Sequence, residues 1–437
     1  MTTLTPEAAP MLAAVGFAIG GPLFATLGLA LRLLLFAERP SEDATARVMS
    51  LGLLLSLLGS LAALALLAAG GPRGEIALGP WVRLGTYEVP VLFLVDTLAC
   101  VFSLLAAALT ALVGRFSRTY LHKEVGYARF FVLLGLFATG VQLVAFAGAL
   151  DLFFAGWELL GISSALFVGF FSERREPVRS SLRAFTTYRL CDVGFFLAIV
   201  ATHETLGSTR LSALSRSGDL PGWESTAIAL LFVVAALGKS AQLPFSSWLP
   251  RAMEGPTPSS ALFYGGISIH TGLYLLLRVH PILDVAPAAE ALGVIVGLST
   301  AIFATLVARA QTDAKGALAF STMAQTGVIL AEIAAGFTTL ALFHLVGHAL
   351  LRVAQYLRAP NTIHDYHQRG HDAPPPAFWE RWISDRSRTR LHAAAVHRFR
   401  LDDAMDGLLA PFLGLARGLD RVDRRVRAAL SLDRTDA

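Results

Sequence analysis

Residues 231–278 read LFVVAALGKSAQLPFSSWLPRAMEGPTPSSALFYGGISIHTGLYLLLR. An apolar run long enough to enter a bilayer is interrupted by Lys239. Pro244 follows five residues later, then a polar turn, and a second apolar run carries Tyr264 and His270. A lysine at the bilayer centre costs about 2.5–3.5 kcal/mol on insertion scales. Proline removes a backbone donor and frees a carbonyl that something polar must satisfy. The combination fits a discontinuous helix lining an ion path. We therefore read the rest of the chain as a scaffold around this element.

The 437 residues are 54% hydrophobic and only 16% charged, with a mean hydropathy of +0.59. A soluble domain carries about 25% charged residues, so the composition is that of a polytopic membrane protein. The net charge of +4 resides mostly in loop and tail arginines, which suits membrane topology and not nucleic-acid binding. Cys100 and Cys191 both fall in apolar runs, without metal-type spacing or a disulfide framework. Met1–Pro10 lacks the basic segment of a cleavable signal, so the first span is expected to be retained. No phosphate loop, dinucleotide fingerprint, haem CxxCH or iron–sulfur cysteine cluster is present, and no cofactor is expected.

Apolar runs of about 18 residues or more predict spans at 11–36, 47–70, 90–114, 129–149, 151–172, 184–203, 225–245, 259–279, 288–309, 317–336 and 338–357. Loops after odd-numbered spans hold most of the basic residues, among them Arg115, Arg118, Lys123, Arg174, Arg175, Arg179, Arg251 and Lys315. The bias places the N-terminus outside and the C-terminus in the cytoplasm. Residues 71–90 read as a small outer hairpin with two short strands. After Leu357 the chain turns rich in histidine, arginine and proline, with Pro374-Pro375-Pro376 as a stiff linker. Leu401, Met405, Leu408, Leu409, Phe412, Leu415, Leu419, Val422 and Val426 then recur at helical spacing among arginines. This is an amphipathic basic helix for the membrane surface or a partner's flank.

Several polar residues lie inside the spans. Glu158, Asp192 and Lys239 fall in spans five, six and seven. A carboxylate and an amine in neighbouring helices set each other's proton affinity, so either a proton relay or a static ion pair fits them. His344, His348 and Arg352 stand at i, i+4 and i+8, one stripe down span eleven. Two histidines four apart could ligate a metal, but no third ligand is near and HExxH is absent. A hydrated proton wire, or histidines that only hydrogen-bond across helices, fits better. Tyr264 and His270, six apart, do not share a helical face, so His270 lines the path and Tyr264 packs. Asp313 and Lys315 flank span ten at its cytoplasmic end. Asp96 and Glu332 are further intramembrane acids with a weaker claim to a direct role.

These stretches together carry a resemblance. YLHKEVGYARFF, FFAGWELLGISSALFVGFF, YRLCDVGFFLAI, GKSAQLPFSSWLPRAMEGPTPSSAL, DAKGALAFSTMAQTG and HLVGHALLR run in order over residues 90–357. The sequence resembles the antiporter-like membrane subunits of respiratory complex I, of the chain 5 (NuoL-like) type, and their Mrp antiporter relatives. The tail from Leu401 resembles the segment leading into that subunit's lateral helix. The resemblance implies an all-α polytopic membrane protein of about eleven transmembrane helices, with an antiporter-like inverted-repeat core and a C-terminal amphipathic helix. It divides the chain into helices 1–3 (1–128), a first repeat with broken helix seven (129–283), a partial second repeat (284–357), a cytoplasmic linker (358–400) and the amphipathic helix (401–437).

By position the resemblance implies a proton relay of Glu158, Asp192, Lys239, His270, Asp313, Lys315, His344 and His348. Arg352 stands where the family usually has a lysine; arginine keeps its proton, so it is expected to modulate the field only. Tyr264 replaces a histidine, His270 replaces a small polar residue, and the second repeat stops after its third helix. SALFYGGISIHTGLYLLLR and RVAQYLRAPNTIHDYH are also similar to DabB, the membrane half of a two-component inorganic-carbon (CO2/bicarbonate) uptake system. The expected function is proton or cation translocation coupled to a partner in a hetero-oligomeric membrane complex. That partner is either a large zinc-containing DabA-like protein or a set of quinone-oxidoreductase/antiporter subunits. A degenerate membrane anchor that conducts nothing is the alternative.

Overall fold

The computed structural model describes residues 8–36, 40–85, 87–369, 382 and 384–429. It divides into two units, 1–374 and 375–437. Among the described residues the first contains eleven helices long and apolar enough to cross a membrane, so the protein is a multi-pass membrane protein. They are α1 (Ala9–Leu35), α2 (Glu42–Ala68), α3 (Thr97–Tyr120), α4 (Tyr127–Phe146), α5 (Leu150–Val168), α6 (Arg175–Leu206), α7 (Gly222–Lys239), α8 (Thr257–Arg278), α9 (Pro287–Ala308), α10 (Ala314–Ala334) and α11 (Thr338–Arg369).

The break after α7 is built as the sequence requires. The helix ends at Lys239, and Ala241 takes a left-handed backbone with φ 52°. Side chains from the break satisfy the carbonyls that lose helical donors: Gln242 Nε2 donates to Ser240 O (2.8 Å) and Trp248 Nε1 to Gly238 O (3.0 Å). The chain then returns through short turns into α8. All 22 residues of α8 are buried, which makes it the central helix of the bundle. Its first half, Ser260–Gly266, is wound as a π-helix, a form found mostly at functional sites.

Between α2 and α3 lies an antiparallel hairpin, β1 (Gly74–Leu84) and β2 (Tyr87–Val95). The expected start of span three at residue 90 is therefore corrected to Thr97. Val89, Val91, Phe93 and Val95 extend the hairpin, and a buried strand and a buried helix read alike in a short apolar run. Leu92 and Val95 are fully buried, and Gly148 N donates to Leu92 O (2.8 Å), tying β2 to the α4–α5 connection. Asp96 caps α3 by accepting from Ala99 N (2.8 Å), and its carboxylate grips Arg278 at the end of α8 at 2.6 and 3.1 Å. Asp96 thus holds structure together, clamping the entrance of α3 to the exit of α8.

The linker expected from residue 358 is also displaced, since α11 continues helically to Arg369, directly before Gly370. In the second unit, α12 (Asp385–Val396) is capped by Ser384, and α13 (Leu401–Ala429) occupies most of the amphipathic stretch. Residues 1–7, the triple proline 374–376 and residues 430–437 lie outside the described residues. So do the side chains of Leu408, Leu409, Phe412 and Leu415.

Gly272 sits where α8 crosses α7. An added Cβ would lie 2.4 Å from Ser240 Oγ and 2.7 Å from Ala236 O, and the backbone oxygen cannot rotate away. Gly272→Ala is expected to lower stability by about 1–3 kcal/mol through overpacking. A drop in Tm of the detergent-purified protein measures it; an unchanged Tm would show that the crossing tolerates a methyl group.

Candidate functional site

The end of α7 places Lys239 among residues of α5 and α6. Its Nζ donates to Trp157 O (3.0 Å) and lies over the rings of Trp157 (4.6 Å) and Tyr188 (5.1 Å). Only 2% of Lys239 is exposed. Asp192 is equally enclosed and accepts from Trp157 Nε1 at 2.5 Å, so Trp157 contacts the amine through its carbonyl and the acid through its ring. Neither Glu158 nor Asp192 forms an ion pair with Lys239. Both pair with Arg189, through Nη1 to Glu158 Oε2 and through Nη2 to Asp192 Oδ2 (2.7 Å).

Arg189 is the residue that the sequence reading missed. The signal was present: an arginine inside span six, three residues before Asp192 and so on the same helical face. It changes the chemistry of the site. Arginine retains its charge and its planar fork binds carboxylates geometrically. Arg189 therefore holds the two acids while Lys239, the cation able to lose a proton, rests on π faces and a carbonyl. Gly161 leaves room for both cations, since a Cβ there would lie 3.1 Å from Arg189 Nη2 and 3.3 Å from Lys239 Nζ. At the neighbouring break, Ser240 Oγ, Gln242 Oε1, Ser246 Oγ and Ser247 Oγ are buried without a protein partner. Ordered water satisfies linings of this kind.

From Tyr188 a chain of hydroxyls runs to α8. Tyr188 Oη lies 3.2 Å from Ser164 Oγ, which lies 3.4 Å from Tyr264 Oη. Tyr264, expected only to pack, does pack against Trp248 with ring centroids 5.7 Å apart, but it also ends this polar link. The π-wound turn between Tyr264 and His270 shifts the helical phase that the six-residue spacing assumes.

His270 joins the second cluster. Its Nδ1 lies 2.5 Å from Gly266 O and its Nε2 lies 2.9 Å from His348 Nδ1. Arg352 Nε donates to His348 Nε2 (3.0 Å). A carbonyl only accepts and a guanidinium only donates, so these ends fix the tautomers between them. His270 carries its proton on Nδ1 and accepts at Nε2; His348 donates from Nδ1 and accepts at Nε2. The wire is neutral and directional, from Arg352 through His348 and His270 to Gly266. Arg352 is further held by Gln355 Oε1 (2.7 Å) and Ser321 Oγ (2.5 Å).

His344 belongs to a separate group. It faces Glu332 at 3.0 Å through Nδ1 and Gln325 Oε1 at 3.1 Å through Nε2, with its ring centroid 6.3 Å from that of His348. Asp313 caps α10 by accepting from Gly316 N (2.6 Å). Lys315, in the first turn of α10, forms no ion pair with it. The structure thus brings Glu158, Asp192 and Lys239 together, and separately His270, His348 and Arg352. His344 stands beside the second group, and Asp313 and Lys315 stand at the start of α10. Among the described residues no group of three or more His, Cys, Asp or Glu side chains is arranged to hold a metal ion.

Comparison with known proteins matches this geometry to a family. The profile described as "NADH:quinone oxidoreductase/Mrp antiporter, TM" covers residues 147–372, more than half of the chain. The profile of the complex I chain 5 N-terminus covers residues 81–131. The chain is 31% identical over 311 residues to NAD(P)H-quinone oxidoreductase subunit 5, organellar chromatophore 1, of Paulinella chromatophora, covering 69% of this chain and 46% of that protein. It is 32% identical over 311 residues to NADH-quinone oxidoreductase subunit L of Rhodobacter capsulatus, covering 67% and 44%. The chain therefore spans less than half the length of these two relatives. A chain in the structure of the Mrp complex from Dietzia sp. shares the fold, with a TM-score of 0.70 and 24% identity over 88% of this chain and 41% of that one. The broken seventh helix, its lysine and the surrounding acids lie within the profile-matched stretch, and the chain belongs to the NADH:quinone oxidoreductase/Mrp antiporter transmembrane family.

Proposed function

We propose that this protein is a proton-translocating membrane subunit that couples proton movement through its polar axis to a partner. The observation that carries the reading is Lys239, a buried amine at a helix break beside two carboxylates held by an arginine. A proton is exchanged where the charge on Lys239 can be exchanged for a change in the Arg189 pairing. While Arg189 holds Glu158 and Asp192, its guanidinium engages their charge. When Arg189 turns from Glu158, the freed carboxylate draws Lys239 and favours the protonated amine. Tyr188, Ser164 and Tyr264 lead from this centre toward α8, and His270 and His348 continue the polar axis, with Arg352 as a fixed charge. Asp313 and Lys315 serve on the side of the arginine-rich loops, which we place in the cytoplasm with the N-terminus outside, while His344 stands with Glu332 nearer the opposite end of α10.

A partner in the membrane is part of this reading. The Arg189 and Glu158 side chains are 33% and 20% exposed at the surface of the bundle, although both lie well inside their helices. Phe185, Val193 and Phe196 are exposed on the same helix. An ion pair at that depth is costly against lipid, and a second membrane subunit would cover it.

Lys239→Ala is expected to assemble normally and to reduce proton flux at least tenfold in vesicles carrying the intact complex, read with a pH-sensitive dye. Unchanged flux would reduce the chain to an anchor. Arg189→Gln is expected to slow flux severalfold, with partial rescue by Arg189→Lys, which restores the charge but not the fork. His348→Ala interrupts the imidazole wire and is expected to lower flux about tenfold without releasing partners. Co-purification of the tagged chain in mild detergent identifies the partner: quinone-oxidoreductase or antiporter subunits fit one coupling, a large zinc-bearing soluble protein the other, and a chain that purifies alone removes the coupling.

A further inference from the structure

At the arginine-poor face a cavity of about 290 Å³ opens between α5 and α6. Tyr87, Asp151, His203 and Glu204 supply its polar wall, and Phe154 and Phe196 form its floor. Asp151 lies in the first turn of α5. Its two carboxylate oxygens each accept one hydroxyl, from Tyr87 on β2 and from Thr209 after α6. The His203 ring stands edge-on to Tyr87 with centroids 4.5 Å apart. Burial, and then the hydrogen bond to Asp151, push the Tyr87 phenol well above its ordinary range, so it stays a donor.

The two helices that form this cavity also form the Lys239 centre. Asp151, Phe154 and Glu158 lie on one stripe of α5, and Asp192, Phe196 and His203 on the facing stripe of α6. Seven residues separate Asp151 from Glu158, about 10 Å along the helix. Phe154 and the fully buried Phe195 lie in that interval with ring centroids 5.3 Å apart, whereas Phe196 is exposed at the bundle surface. The cavity and the charge centre thus share one interface, with aromatic rings between them: Phe195 also meets the Trp157 ring, centroids 5.2 Å apart.

We propose that the Asp151 cavity is the proton-exchange site for the arginine-poor face, and that Phe154 and Phe195 form the seal between it and the Glu158–Arg189–Asp192 centre. The inference rests on the proton-translocating reading above. A proton that passes the seal along transient water protonates the Asp151 carboxylate, and the acid then returns it to water in the cavity. Each carboxyl oxygen can accept from Tyr87 or Thr209 with or without the proton, so the walls of the cavity hold in both states. Tyr87 faces Asp151 from β2, and His203 and Glu204 from α6; Arg210, next to Thr209, is occupied by Glu75 at 2.9 Å.

The test uses the intact complex in sealed vesicles, with the pH on each side varied independently. Asp151→Asn keeps an acceptor and a donor for the two hydroxyls but cannot titrate. It is expected to lower flux about tenfold and to abolish the dependence of flux on pH at the arginine-poor face, with dependence on the other side intact. Phe154→Ala opens the seal and is expected to produce a proton leak that continues when the partner's reaction is stopped. That readout stands even if Asp151→Asn fails to assemble, and a mere structural clip at Asp151 would not produce it. Wild-type pH dependence in Asp151→Asn, or tight vesicles with Phe154→Ala, overturns the proposal. Lys239→Ala in the same assay separates the two readings: if its flux is normal, proton translocation itself fails, whereas its loss beside a normal Asp151→Asn removes only the exchange site.

Discussion

A single amine kept out of water organises this molecule. Lys239 lies at the end of a membrane helix, with no carboxylate paired to it, resting on two aromatic faces and one backbone carbonyl. Such a charge persists only where its surroundings supply compensation. Here Trp157 and Tyr188 provide π faces, Gly161 provides space, and two acids lie close enough to act through the field without contact. The break that carries Lys239 also frees carbonyls, which Gln242 and Trp248 take up. Charge, break and aromatic shell are therefore one structural solution.

The central helix α8 follows from the same constraint. A broken helix leaves polar backbone and side chains at membrane depth, and these must face protein. α8 is buried along its whole length and presents hydroxyl and imidazole groups to both neighbouring clusters. Tyr264 reaches toward the Lys239 centre, and His270 toward His348. Arg278 at its far end is clamped by Asp96. Six positions apart, Tyr264 and His270 point to different faces of α8 and serve different partners.

The arrangement also explains how charges at this depth are divided into fixed and mobile ones. Arg189, Arg278 and Arg352 retain their protons and hold acids, hydroxyls or imidazoles in place. Lys239 and the imidazoles carry protons that can be exchanged, which a guanidinium does not. Lys239 stands near Arg189 and His348 beside Arg352, so a rearrangement of the arginine's hydrogen bonds alters the field at the neighbour.

Much of this was legible in the residues. Eleven spans follow from hydropathy, because each membrane helix must be apolar along its own length. The break at 239–244 follows from a lysine and a proline close together, and the candidate acids and histidines stand out by their cost in lipid. Other features depend on where helices cross. The Glu158–Arg189 contact spans 31 residues of sequence and the His270–His348 contact spans 78; no local pattern sets either. Nor could local pattern distinguish strand β2 from the start of a helix, since its burial comes from pairing with the α4–α5 connection. The aromatic layer between Asp151 and Glu158 likewise exists only because α5 and α6 pack with those faces together. Local chemistry determined which segments enter the membrane and which charges they carry; tertiary packing decided which charges meet, because contact between helices depends on their crossing and phase.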